Sequence, residues 1–236
     1  MAESRTKAQA LILAGLVRLG ERRVDKPGEQ LASDAALALR GSDHPWVSRG
    51  GVKLAHALDH FAITVEGNVA LDIGASTGGF TDVLLARGAR RVYAVDVGHG
   101  QLAWKLRQDP RVVVRERVNA RYLTRTDISE PVDFITCDAS FIGLATVLPA
   151  PLALAAEQAG LVALVKPQFE AGRAHVGKGG VVRDTDVHGE VCARAAAWVA
   201  AQPGWMVVGI VESPILGSEG NREFLLCARR RAERGQ

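Results

Sequence analysis

From residue 69 onward short apolar runs alternate with amphipathic stretches, and the alternation is regular enough to read as successive β-α-β units. Apolar runs at 69–73, 91–95, 111–114, 132–137 and 160–165 predict strands. Stretches at 80–87, 101–107, 144–158 and 186–201 carry helical apolar spacing. Strands that are apolar throughout and alternate with helices belong to a parallel sheet covered on both faces. Two further strands, 206–211 and 224–228, follow with no helix between them. That predicts an antiparallel pair at the end of the sheet. The expected fold class is α/β: a Rossmann-like, doubly wound sheet with an antiparallel end strand.

The first forty residues follow a different rhythm. Ser4 is placed to cap a helix from 5 to about 14, with Ala8, Leu11 and Ile12 on one face and Gly15 as its stop. Short runs at 16–19, 23–24 and 35–39, with turns at Gly20 and Asp25-Lys26-Pro27-Gly28, predict short strands. This α+β module, residues 1–41, is too small to be stable without a neighbour to pack on. Pro45 and the pair Gly50-Gly51 mark 42–51 as a linker. A helix carrying Lys53, Leu54, Ala57, Leu58 and Phe61 then opens the larger domain, 52–236.

Charge sharpens this division. Residues 1–53 hold nine Lys/Arg against six acids, and the rest of the chain holds 20 against 20. A basic module joined to a nearly neutral domain points to nucleic acid, with a solvated charged face as the alternative. No apolar run is long enough to span a membrane, and no secretory signal follows Met1. Cys137, Cys192 and Cys227 are scattered and lack metal-ligand spacing, so reduced thiols, a cytoplasmic protein and no metal site are expected.

Candidate chemistry collects where the strands end, the place where doubly wound sheets bind ligands. The first strand runs into Asp72-Ile-Gly74-Ala-Ser76-Thr77-Gly78-Gly79-Phe80, a glycine turn that opens a helix. A carboxylate beside such a turn repels a pyrophosphate and favours a ligand bearing an amino group and a sulfonium. The loop therefore suggests S-adenosylmethionine over a dinucleotide. Asp96 ends the second strand and is placed to accept both hydroxyls of a ribose, and Asn119 after the third is a candidate adenine contact. Asp138 ends the fourth strand and Lys166 the fifth. The loop 168–184, rich in glycine and holding Arg173, His175, Lys178 and Arg183, reads as a lid or an RNA-contacting loop. Trp46 could stack on a base or pack between the domains.

Seven blocks now fall in one order: S-R-T-K-A-Q-A-L-I-L-A-G-L-V, V-S-R-G-G-V-K-L, D-I-G-A-S-T-G-G-F-T-D, V-Y-A-V-D-V-G, D-A-S-F-I, L-V-K-P-Q-F-E and G-N-R-E-F. Over nearly its whole length the chain resembles the TlyA family, 2′-O-methyltransferases of ribosomal RNA with an S4-type RNA-binding module and an FtsJ-like catalytic domain. The resemblance implies a methyltransferase sheet, S-adenosylmethionine as cofactor, ribosomal RNA or ribosomal subunits as partner, and cytidine as the acceptor. It implies a Lys-Asp-Lys-Glu tetrad around the target ribose, falling on Lys53, Asp138, Lys166 and Glu223, with Glu219 a nearby alternative for the last. The cofactor motif falls on Asp72, Gly74, Ser76, Thr77, Gly78, Gly79 and Phe80, with Asp96, Asn119 and Asp138 beside it. The RNA-contacting residues expected are Arg5, Lys7, Arg18, Arg22, Arg23, Trp46 and Arg49.

In such a tetrad Lys166 is the group that could take the hydroxyl proton. Lys53 would depress its pKa and Asp138 would raise it, which leaves base and positioning cation both open. An S4 module ordinarily begins with one more helix than this chain holds ahead of Ser4. The expectation is either a truncated module or a start assigned too late. Family members labelled haemolysins raise a membrane-active cytolysin as one alternative, which lacks a signal, a span or a long basic amphipathic helix here. A non-enzymatic ribosome-assembly factor is another, and the intact Asp138, Lys166 and glycine loop argue against it.

Overall fold

The computed structural model describes residues 5–13, 15–24, 26–32, 34–39, 44–217 and 219–231. The expected Ser4 cap, the Lys7 side chain and residues 42–43 of the linker lie outside that description. A short helix α1 (Arg5–Leu13) precedes strands β1 (Val17–Leu19), β2 (Arg22–Arg23) and β3 (Leu37–Leu39). These strands form an antiparallel sheet in the order β2-β1-β3.

The larger domain opens with α2 (Gly50–His60). Gly50 and Gly51 begin this helix where the sequence suggested a break. The reason is packing, because a Cβ at Gly51 would lie 2.4 Å from the Trp46 ring. Trp46 is therefore half-buried against the helix and serves the contact between linker and domain. Leu54, Ala57 and Leu58 face the core, each such Leu contributing about 1.5–3 kcal/mol by burial.

Then come β4 (Val69–Ile73), α3 (Gly79–Ala86), β5 (Arg91–Asp96), α4 (Trp104–Arg107), β6 (Val112–Glu116), β7 (Val132–Cys137), α5 (Leu144–Val147), α6 (Pro149–Ala153), β8 (Ala155–Val165), α7 (Pro167–Glu170), α8 (Thr185–Ala200), β9 (Trp205–Glu212) and β10 (Phe224–Arg230). The seven-stranded sheet has the order β6-β5-β4-β7-β8-β10-β9. Only β10 runs against the rest, paired antiparallel with both β8 and β9. The expected doubly wound sheet with its antiparallel end pair is thus present. One apolar layer, under α2, α3 and α4, includes Leu54, Phe80, Val83, Leu84 and Leu106. The opposite layer, under α5, α6 and α8, includes Leu148, Leu152, Val187, Val191 and Val199.

Two expected helices are shorter than their patterns. The 101–107 stretch is helical only from Trp104, because Ala103 is extended at ψ 138°. The 144–158 stretch breaks into α5 and α6, and its last residues join β8. Pro149 has no N–H to continue α5 and instead sits at the start of α6, where none is needed. The run A-A-E-Q-A that follows has helical propensity, but Ala155 pairs with Val132 and Ala159 with Arg230. Sheet pairing overrides local preference there.

Candidate active site

The loop after β4 is shaped by its neighbours. Gly74 has φ +77°, and a Cβ there would lie 2.9 Å from the Asp138 carbonyl oxygen, so only glycine fits. The Gly74 and Ala75 amides both donate to the Val95 carbonyl. Ser76, at φ +48°, donates its amide to Asp96 Oδ2 at 2.8 Å, and Gly98 donates to Oδ1 of the same carboxylate at 2.6 Å. Asp96 therefore sets the curvature of the loop while remaining half-exposed at the strand end. Gly78 caps α3 in a left-handed conformation.

Asp72 does not guard the cleft in the direct sense expected from sequence. It is fully buried, accepting hydrogen bonds from the Thr81 hydroxyl at 2.6 Å and the Thr136 hydroxyl at 3.0 Å. Burial pushes its pKa up to about 6, against the pull of those two hydroxyls. Its charge acts from beneath the loop.

A cleft of about 640 Å³ lies over the strand ends. Gly74, Ser76, Thr77, Gly79 and Phe80 form one wall, and Lys53, Asp138, Lys166 and Glu223 another. Of the cofactor candidates, Asp72, Gly78, Asp96 and Asn119 do not line it. Asn119 is occupied elsewhere, its Oδ1 accepting from the Arg121 amide to cap a short 3-10 turn.

The four tetrad candidates are brought together as two ion pairs. Lys53 Nζ meets Glu223 Oε2 at 2.6 Å, and Lys166 Nζ meets Asp138 Oδ1 at 2.6 Å. Lys53 comes from α2, Asp138 from the end of β7, Lys166 from the end of β8 and Glu223 from the entrance to β10. Glu223 is the buried acid, whereas Glu219 lies at the rim and pairs with Lys26. Burial pushes the Asp138 carboxyl up, but Lys166 and Lys53 outweigh it and hold the group below its ordinary value. Burial pulls Lys166 down, yet Asp138 and Glu223 outweigh it and raise this amine. Lys166 is an ammonium at neutral pH, because the carboxylates prevail over burial.

Three residues that sequence reasoning left out matter here. Gln168 donates to Glu223 Oε1 at 3.3 Å, while its own Oε1 is buried in the wall of the cleft without a partner. Asn221 is fully buried, accepts from the Val182 amide and donates to the Gly180 carbonyl. It thereby pins the glycine-rich loop, whose Val176, Gly179 and Gly180 line the cleft. Glu170 accepts from the Leu144 amide at 2.7 Å and so ties α7 to α5. Each lies within four residues of a tetrad member in sequence, which was the available signal.

The linker is bolted to the same site. Val47 donates its amide to Asp82 in the first turn of α3, and Lys105 pairs with that carboxylate. Ser48 packs against Gly79 and Gly50. Among the RNA-contact candidates, Arg49 lines the cleft and donates to the Leu216 carbonyl. Arg5 is exposed on α1, Arg18 donates to the Glu21 carbonyl, Arg22 pairs with Glu29 at 2.7 Å and Arg23 packs on Gly15. None of these four faces the cleft. Among the described residues no cluster of His, Cys, Asp and Glu could hold a metal ion, and no helix is long and apolar enough to cross a membrane.

Comparison with known proteins adds sequence and fold relatives. Residues 46–230 match the FtsJ-like methyltransferase family, and residues 1–36 match the S4 domain. A Mycobacterium tuberculosis protein, 16S/23S rRNA (cytidine-2′-O)-methyltransferase TlyA, is 50% identical over 235 residues, 99% of this chain and 87% of that one. Hemolysin A of Brachyspira hyodysenteriae is 40% identical over 224 residues, covering 94% and 92% of the two chains. A solved Streptococcus thermophilus structure, provisionally named a hemolysin, superposes with a TM-score of 0.76 at 45% identity, covering 97% of this chain and 84% of its own.

Proposed function

This chain belongs to the TlyA family of FtsJ-like methyltransferases, and on that footing we propose that it methylates the ribose 2′-hydroxyl of cytidine in ribosomal RNA, using S-adenosylmethionine. The observation that carries the reading is the meeting of two walls in one cleft. A glycine loop that brings backbone to the surface of the cleft faces two Lys-carboxylate pairs set into its opposite wall. The loop residues Gly74, Ser76, Thr77 and Gly79 fit the cofactor, and the buried unpartnered Gln168 Oε1 awaits a donor in the same space. Asp96, whose carboxylate holds the Ser76 and Gly98 amides at the strand end, is the candidate for the ribose hydroxyls in this reading. Asp72, ionised above pH ~6, supplies negative charge under the loop. When bound, the cofactor supplies a methyl group on a positive sulfur.

The chain's own residues then do three things. The walls hold the acceptor hydroxyl in line with the methyl carbon, and alignment of this kind accounts for much of the acceleration. Lys166, held as a cation, donates to the acceptor oxygen and favours its alkoxide as the hydroxyl proton passes to solvent water in the open cleft. The Lys53–Glu223 ion pair fixes that side of the cleft. In this reading Lys166 is a positioning cation in the resting protein.

The decisive test incubates the full chain with labelled S-adenosylmethionine and each ribosomal subunit, then maps ribose methylation. Label at a cytidine 2′-oxygen is expected. Absence of label from both subunits would sink the reading.

A further inference from the structure

The ammonium of Lys166 has three N–H groups, and in the resting protein all three are taken. One goes to Asp138 Oδ1 at 2.6 Å, one to the Asp138 carbonyl at 3.3 Å and one to Ser140 Oγ at 2.9 Å. No donor is left for an incoming hydroxyl. The first two acceptors belong to the residue that ends β7 and whose amide is fixed to the Ile73 carbonyl at 2.9 Å. Ser140 is different: it is exposed, it lines the cleft, and it presents the same chemical group as the acceptor, an aliphatic hydroxyl.

We propose that Ser140 Oγ occupies, in the resting protein, the place on Lys166 that the ribose 2′-oxygen takes during methylation, and that residues 139–143 must shift to release it. This rests on the methyltransferase reading above. The segment has the build for such a shift. It is short and anchored at both ends, by the Asp138 amide before it and by the Leu144 amide on the Glu170 carboxylate after it. Between the anchors Phe141 sits at φ +65°, a left-handed conformation that disfavours a bulky side chain. Phe141 is 89% exposed, lines the cleft, and its ring lies 5.0 Å from that of Phe169 between centroids. Movement of this segment frees the left-handed backbone at Phe141, while Ala139 and Ile142, partly buried against the core, limit how far it travels. Ser140 is thus a positioning residue acting through Lys166, and it competes with substrate.

Steady-state methyl transfer to ribosomal subunits lacking ribose methylation, with tritiated S-adenosylmethionine, tests this in wild type, Ser140→Ala and Ser140→Thr. Removing the competitor raises kcat/KM for RNA by roughly 3- to 10-fold, the worth of one net hydrogen bond, with the gain carried by a lower KM. Ser140→Thr keeps the hydroxyl and behaves as wild type. The limb of the kcat/KM pH profile governed by Lys166 moves to lower pH in Ser140→Ala, because an acceptor that favours the ammonium is gone from the free enzyme. The matching limb of kcat, where Ser140 is already displaced, stays in place. An unchanged or lower kcat/KM in Ser140→Ala overturns the proposal. Titration of the Lys166 13Cε signal in the free protein reads the same bond without RNA: a lower pKa in Ser140→Ala supports it, and identical titration in all three proteins overturns it. Wild type that labels neither subunit would instead count against the methyltransferase reading, leaving the titration to judge Ser140 separately.

Discussion

Lys53 and Glu223 carry opposite charges into a nearly closed corner, 9% and 4% exposed at their side chains. Removing one partner from such a pair strands the other. Lys53→Met is therefore expected to destabilise the protein toward the lower end of ~3–5 kcal/mol, since the cleft lets water in, and to abolish methyl transfer. Lys53→Met combined with Glu223→Leu should recover most of the stability in urea unfolding and none of the activity. If the double variant is as unstable as the single, the pair is not what holds this corner. Asp72 has the opposite signature. Its folded pKa of about 6 lies above the unfolded value of 3.8, so the native state binds the extra proton between those limits. Stability contributed by this group is present below pH ~4 and is lost as pH rises toward ~6, a change of about 3 kcal/mol. Asp72→Asn should flatten that slope and stabilise the free protein at pH 7, while weakening S-adenosylmethionine in calorimetry. Equal binding by both proteins would show that the buried charge is not used. At this scale Asp138 and Lys166 were legible as ionisable residues at strand ends, whereas Lys53 and Glu223 were named only through the family resemblance. The orientation of Asp72 was not, since Thr81 and Thr136 reach it only after helix and sheet have packed.

Elements were legible wherever apolar spacing and neighbours agree. β4 and β7 have the limits their apolar runs predict, because strands buried on both faces are marked by their own residues. The 144–158 stretch failed because two prolines and a distant partner strand outweigh local propensity. The break expected at Gly50-Gly51 failed because those glycines answer to Trp46 and not to chain flexibility. Gly74 joins both effects, a left-handed φ and the Asp138 backbone at contact. Gly74→Ala should cost about 1–3 kcal/mol in unfolding and separate the glycine loop from the end of β7. Cofactor affinity measured by calorimetry should fall with it. Retention of wild-type affinity would mean that the loop is not the cofactor cradle.

Across the whole molecule, charge divides as the sequence suggested, with the excess of Lys/Arg in residues 1–53. Association with ribosomal subunits is expected to weaken steeply with salt. Replacing Arg5 and Lys7 by Ala should lower the log–log slope by roughly 0.7–0.9 for each phosphate no longer neutralised, with S-adenosylmethionine affinity unaltered. An unchanged slope would assign these residues to protein contacts. The antiparallel β10 has a consequence in time. It is the last strand among the described residues, yet it lies between β8 and β9, and its entrance supplies Glu223 to a lysine 170 positions earlier. Contacts that distant close late in folding. During vectorial synthesis the earlier strands can pair as they emerge, but β9 has no strand to pair with and Lys53 lacks Glu223 until β10 slots in. Translation itself thus acts as a timer on activity: a nascent chain halted before β10 carries a glycine loop and three of the four tetrad residues, and has no completed corner with which to modify RNA.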